Sequence, residues 1–307
     1  MNYTFHQLKV FLTITQTQSI TKAAEELHLS QPAVSIQLKN LQEQFAIPLT
    51  EVVGRKLFVT DFGKEIAAAA QNILNEVHAI NYKSQDFDGK LTGRLKISAV
   101  STGKYVMPYF LAGFVKKNDC IEMTLDVTNR ARVVESLKKN EVDFAMVSIV
   151  PDKLKLVSEE LLQNKLFLVS GNERCYTNEI YDKQIFRDLP IIFREMGSGT
   201  RMVAEKYLAQ SDVIVRKKLE LTSNEAVKQA VLAGLGCSIM PLIGLKNELE
   251  MGTLQIIPIK GLPIISTWKL VWLKGKSFSP VAAAFLNYIR AEKHQIIKDR
   301  FDWFERY

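Results

Sequence analysis

The chain has 307 residues, 47% hydrophobic and 24% charged, enough for two or three domains with real cores, so it reads as globular rather than disordered. No apolar run approaches the roughly 18 residues of a membrane span, and the opening MNYTFHQLKV is amphipathic rather than an export signal, so the expected compartment is the cytoplasm. Lys and Arg number 40 against 33 Asp and Glu, a net +7 that suits a polyanionic partner, while Cys120, Cys175 and Cys237 are too few and too scattered for a disulfide framework or a zinc site.

The first informative stretch is SITKAAEELHLSQPAVSIQLKNL, residues 19 to 41. Ile20, Ala23, Ala24 and Leu27 recur at helical spacing, with Lys22, Glu25 and Glu26 outside and Ser19 or Thr21 able to cap the start. After a break at His28 and Leu29, Ser30 is placed as an N-cap and Pro32 falls in the first turn, where its missing N–H is harmless. Val34, Leu38 and Leu41 then form the buried face of a second helix, leaving Gln31, Ser35, Ile36, Gln37, Lys39 and Asn40 outward. Small residues at 23 and 24 allow two helices to cross closely, the arrangement of a DNA-reading helix-turn-helix.

This stretch, with Leu8 and Phe11 ahead of it, closely resembles the winged helix-turn-helix of the LysR-type transcriptional regulators, through its core Ser30-Gln31-Pro32-Ala33-Val34-Ser35. The resemblance implies a helix in the major groove, with base or phosphate contacts from Ser30, Gln31, Pro32, Ser35, Ile36 and Gln37. Two positions depart from the family. Ile36 stands where Arg is common, and Leu49-Thr50-Glu51-Val52 replaces a wing of the type Leu-Phe-x-Arg, so phosphate anchoring shifts to Lys39, Arg55 and Lys56. Over residues 1 to 58 five cations face four acids, net +1, so this reader is nearly neutral and a modest salt dependence is expected.

A long helix follows. Thr60 and Asp61 can cap a run in which Phe62, Ile66, Ala69, Ile73, Val77 and Ile80 repeat at helical spacing, before Ser84-Gln85-Asp86-Phe87-Asp88-Gly89. Such a stripe needs a partner, either within the chain or in a second copy. In the resembled family this linker makes a dimer, which would set two readers on a pseudo-palindromic operator of double-stranded DNA, and dimers pair into tetramers.

From Leu91 onward short apolar runs alternate with helical stretches at 104 to 117, 130 to 140, 200 to 210 and 224 to 234, a pattern that predicts mostly parallel sheets. Four segments stand out as cleft candidates. Ser101-Thr102-Gly103 could hold an anion at a helix start or merely cap it, and Asn129-Arg130 could face a ligand or solvent. Arg194-Glu195-Met196-Gly197-Ser198-Gly199-Thr200-Arg201 outlines an anion nest, with a capped tight turn as the alternative, and Asn224 sits at another helix start. The resemblance implies two lobes of periplasmic-binding-protein type with crossings near 161 to 164 and 264 to 268. The segments at 101–105, 129–130, 197–201, 223–231 and near 279 resemble the branch containing regulators of carbon-fixation operons and their relatives in sulfur assimilation, whose carbon-side effectors are small phosphorylated metabolites.

The chain is therefore expected to be α/β overall. An all-α winged helix-turn-helix would occupy 1–58 and a dimerisation helix 59–89. An effector-binding domain would fill 90–307, with lobe I at about 90–162 and 266–300 and lobe II at about 163–265. The expected activity is regulation of transcription by a small anionic effector, phosphorylated or carboxylated, with no other cofactor, no metal and no membrane, and with RNA polymerase as a possible contact. A periplasmic solute-binding protein would explain two lobes but leave residues 1 to 88 without a purpose. An enzyme would need a reactive group with a partner, yet no nucleophile elbow, His-Glu-x-x-His pair or phosphate loop appears.

Overall fold

The computed structural model describes residues 2–54, 56–85, 90–173, 176–177, 179–210, 215 and 217–307. Arg55, Cys175, residues 86–89 and the Ile80 side chain lie outside the described residues. The chain forms two compact units, Met1–Thr92 with Lys139–Glu141, and Gly93–Lys138 with Val142–Tyr307.

In the first unit, α1 (Phe5–Thr17) opens on a capping box between Thr4 and Gln7. Ser19 caps α2 (Ile20–Leu27), and Ser30 caps α3 (Gln31–Gln42) with Pro32 in its first turn. His28 ends α2 in the left-handed region at φ 55°. Leu8, Phe11, Ala23, Ala24, Val34, Leu38 and Leu41 form one core, and the two alanines let α2 and α3 approach. Strands β1 (Thr50–Val53) and β2 (Lys56–Val59) pair antiparallel as a wing. The Gln42 carboxamide oxygen ties the wing to α3, accepting from the amide and the hydroxyl of Thr50 at 3.1 and 3.0 Å.

Helix α4 (Asp61–Gln85) starts where the Thr60 hydroxyl accepts from the Gly63 amide at 2.9 Å. Its apolar stripe divides between two directions. Phe62 and Ile66 pack with Ala70 and Leu74 against the helix-turn-helix core, whereas Ala69 and Ile73 remain exposed. The helical period fits both faces, so spacing alone could not separate residues that cover the reader from residues that need another partner. Gly63 is where the helix comes closest: a Cβ there would lie 2.0 Å from the Leu49 carbonyl oxygen.

The second unit contains a seven-stranded sheet in the order β10-β6-β11-β5-β3-β4, with β9 also on β6. β3 (Gly93–Val100) runs parallel to β4 (Ile121–Thr128) and β5 (Phe144–Val147), with α5 (Met107–Lys117) and α6 (Arg130–Lys138) as crossovers. The expectation of mostly parallel sheets is corrected beyond that point. β6 (Leu156–Gly171) pairs antiparallel with β9 (Ser238–Pro241), β10 (Leu254–Ile257) and β11 (Ile264–Leu273), because the chain leaves one lobe along β6 and returns beside it along β11. The two crossings lie side by side, Asn164 opposite Ser266 and Leu162 opposite Trp268. A separate parallel pair, β7 (Ile191–Arg194) and β8 (Lys217–Leu221), flanks α7 (Gly199–Leu208). α8 (Asn224–Leu232), α9 (Lys246–Glu250) and α10 (Pro280–Phe301) complete the described α-helices.

Each lobe has its own core. Phe144 gathers Trp272, Phe278 and Phe285 in the first, and Leu168, Phe186, Ile191, Phe193, Tyr207 and Ile239 fill the second. Among the described residues no helix is long and apolar enough to cross a membrane.

Candidate DNA-reading face and interlobe cleft

On the first unit, α3 presents Gln31, Pro32, Ile36, Lys39 and Asn40 to solvent, with Ser35 and Gln37 half-buried beside them. Ser30 is spent on capping, its hydroxyl accepting from the Ala33 amide at 3.4 Å. Ile36 is 55% exposed, an apolar side chain on a face that otherwise offers amides and hydroxyls. On the wing Val52 and Val53 are 67% and 62% exposed, and Lys56 points outward. The amide and hydroxyl groups can read base edges, while exposed aliphatic groups suit thymine methyls. Lys39 is paired with Glu43 at 3.8 Å at the surface, a weak contact that a phosphate can displace.

In the second unit the cleft between lobes is lined by Ser101, Thr102, Asn129 and Arg130 from the first lobe and by Ser198, Gly199 and Thr200 from the second. It is narrow in this arrangement, a cavity of about 10 Å³, open to solvent at its mouth. Two α-helix starts and the Ser101 turn converge there. Asn129 caps α6 by accepting from the Arg132 amide at 3.1 Å, and Ser198 caps α7 by accepting from the Arg201 amide at 3.5 Å. Helix starts present unpaired N–H groups and the positive end of the helix dipole, so the cleft favours negative charge. The Arg130 guanidinium is steered by one bond from Nε to the Ile149 carbonyl oxygen at 3.2 Å, leaving its other nitrogens for a ligand.

The glycines of the nest serve lobe contact. Gly197 has φ +87°, and a Cβ there would lie 3.2 Å from Ala131; one on Gly199 would lie 3.6 Å from Arg130 Cδ. Thr102 accepts from the buried Trp268 indole at 3.2 Å, so its own hydroxyl proton is left to donate into the cleft. Gly103 is packed on Ala99 and Met146 beneath the cleft.

The two arginines flanking the nest do different work from that outlined by the sequence. Arg194, 3% exposed, is a lock between lobes. Its guanidinium donates to both Glu195 oxygens at 2.8 and 3.0 Å, to the Ser101 hydroxyl at 3.1 Å and to the Asn224 carboxamide oxygen. Asn224 is thus buried in that lock. Arg201 turns away from the cleft to Glu205 at 2.6 Å, Glu220 at 2.7 Å and the Arg194 carbonyl oxygen at 3.0 Å. Its hydrogen bonds to the two glutamates hold its pKa above the ordinary arginine value, so it is a committed ion-pair partner.

Sequence reasoning missed Ser148 and Asn164, which also line the cleft. Asn164 is 5% exposed, donates to Ser266 at 3.2 Å, and leaves its carboxamide oxygen buried without a partner. It sits in the polar triplet Gln163-Asn164-Lys165 between apolar stretches of β6, and that interruption is the one signal that could have marked it.

A winged reader of base edges in the same chain as two lobes hinged on paired strands around an electropositive cleft defines a ligand-responsive DNA-binding regulator. The chain belongs to the LysR family: residues 5–64 match the bacterial regulatory helix-turn-helix protein of the lysR family, and residues 88–293 match the LysR substrate binding domain. It is 36% identical over 289 residues to a RuBisCO operon transcriptional regulator of Acidithiobacillus ferrooxidans, covering 94% of each chain. It is 35% identical over 297 residues to the HTH-type transcriptional activator CmpR of Synechocystis, covering 96% of this chain and 97% of that one. The regulatory domain of Synechocystis CcmR, solved in complex with 2-PG, superposes with a TM-score of 0.63 at 33% identity over 66% of this chain and 98% of that one.

Proposed function

We propose that this regulator is switched by a small phosphorylated or carboxylated anion seated in the interlobe cleft, and that it acts in the cytoplasm on carbon-assimilation genes. The observation that carries the reading is the meeting of the α6 and α7 starts, the Arg130 guanidinium and the hydroxyls of Ser101, Thr102 and Thr200 around one space. The ligand of the CcmR domain, 2-PG, is 2-phosphoglycolate, a two-carbon acid carrying a phosphate, and its charge suits that set of donors. The exposed strip of Ala69 and Ile73 on α4 supports pairing with a second copy, which would place two copies of α3 on a pseudo-palindromic operator. Closure of the lobes would then alter how two such dimers associate and bend DNA, and so their contact with RNA polymerase.

The test is thermal unfolding of the full chain with 2-phosphoglycolate. Wild-type protein should be stabilised, Thr200→Val and Arg130→Met variants should lose the shift, and Arg201→Ala should keep it. A shift that survives the first two variants and vanishes in the third would overturn the cleft assignment.

A further inference from the structure

We propose a second anion site, separate from the interlobe cleft, that takes a small metabolite carrying two or more phosphates. It is a cavity of about 330 Å³ walled by Lys104, Tyr105, Tyr109, Lys246, Arg300 and Trp303. That volume lies at the lower end of the roughly 300–1,000 Å³ range of small-molecule sites.

The cavity is built on fixed walls. Trp303 and Phe301 are buried at 8% and 3% exposure, and the turn carrying Trp303 is anchored by Lys165 of β6, whose ammonium donates to the Phe304 and Tyr307 main-chain oxygens at 3.0 Å each. The floor joins the two lobes: Tyr105 donates to Glu225 at 3.1 Å, and its ring lies so close to Gly244 that a Cβ there would meet it at 3.0 Å.

The charges in this cavity are unbalanced. Lys104, Lys246 and Arg300 lie over the rings of Tyr105, Trp303 and Tyr109 at 4.9, 5.5 and 5.9 Å from the centroids. Among the described residues none of the three has a carboxylate within ion-pair distance. The acid in the wall, Glu248, is taken by Lys228 at 2.7 Å. A cation over a ring gains only about 0.5–1 kcal/mol at exposed sites and about 2 kcal/mol at a buried one, less than a charged phosphate offers, so these groups are parked rather than committed, and their mutual repulsion falls when an anion enters. Each phosphate ester brings about 1.5 to 2 negative charges at neutral pH, so three cations match a bisphosphate better than a monophosphate. Lys104 and Arg300 belong to the first lobe and Lys246 to the second, so such a ligand would bridge the lobes and bias their closure independently of the cleft.

Isothermal titration of the full chain with inorganic pyrophosphate at low ionic strength tests this. Wild-type protein should bind it, and the double variant Lys246→Gln, Arg300→Gln should weaken binding by at least about tenfold. Both residues are surface-reaching, so the variant should unfold at the wild-type temperature. The cleft variant Thr200→Val should bind pyrophosphate normally, as should Lys116→Gln, Lys117→Gln, which removes two charges elsewhere. No binding to wild-type protein, binding indifferent to the Lys246 and Arg300 changes, or equal loss in either control would overturn the site. Failure of 2-phosphoglycolate to bind would leave this proposal standing.

Discussion

Replacing Arg194 by Met should destabilise the two-lobed unit severely while leaving its surface unchanged. The guanidinium is buried and donates to Glu195, Ser101 and Asn224, with a longer contact to the Thr222 carbonyl oxygen at 3.5 Å. Met matches its stem but abandons a carboxylate with 15% side-chain exposure and a buried amide oxygen. Breaking a buried pair by removing one partner costs about 3–5 kcal/mol, since the remaining charge has lost its compensation. For a domain of this size each kcal/mol moves the midpoint by about 2–4 °C, so a fall of about 10 °C is expected by calorimetry of the full chain. The double variant Arg194→Met, Asn224→Leu should lose less than the sum of its parts, because both changes remove one network. If Arg194→Met unfolds within about 1 kcal/mol of wild type and instead abolishes 2-phosphoglycolate binding, the guanidinium is a ligand anchor and the lock is refuted.

Other substitutions probe the rest of the chain. Ala23→Leu places three extra carbons where the side chain is fully buried between helices, so it should cost about 1–3 kcal/mol in urea unfolding and weaken operator binding in gel shifts. Ile36→Arg, at an exposed position on α3, should leave stability within about 0.5 kcal/mol; it should raise DNA affinity and steepen the salt dependence by about one unit per subunit. Tyr207 has its phenol pushed up to about 12 from 10.0, first by burial and then by Asp182. A raised folded pKa means its stabilising contribution is complete below pH 10.0 and is lost as pH rises through about 12, so urea midpoints should fall across that interval and fall less in Tyr207→Phe.

What was legible in the sequence was local. Ser19, Ser30, Ser198 and Ser223 cap the helices they precede, and each signal is complete within four residues. The roles of Arg194 and Arg201 were only partly legible: Glu195 and Glu205 are near in sequence, but the partners that fix both side chains also come from elsewhere. Ser101 is 93 residues from Arg194, and Glu220 lies on β8, the strand Lys-Lys-Leu-Glu-Leu, whose charged residues look like solvated surface. The stripe on α4 was half legible for a different reason: one period served two faces, and only packing against the helix-turn-helix core and Leu49 distinguishes them. The antiparallel turn of the large sheet escaped because β6 and β11 are 102 residues apart at the Asn164–Ser266 contact.

The bonds that join the lobes also bound what an effector can do. Ser101 accepts from Arg194 and from Asn224 at 3.4 Å, and Tyr105 donates to Glu225, so these three hydrogen bonds are among those that join the lobes in the described residues. At about 0.5–1.5 kcal/mol each, they hold this arrangement by a few kcal/mol, whereas reversing a 1:99 population needs about 5.5 kcal/mol of differential affinity. A ligand therefore has no need to create this arrangement; it must only prefer it, or prefer its alternative. Because Ser101 belongs both to the Arg194 lock and to the cleft wall, any anion that draws its hydroxyl shifts the balance of the lock directly. Under the proposed function, occupancy and lobe geometry would be coupled through one oxygen atom, so weakening Arg194 should make the regulator more dependent on its effector rather than indifferent to it.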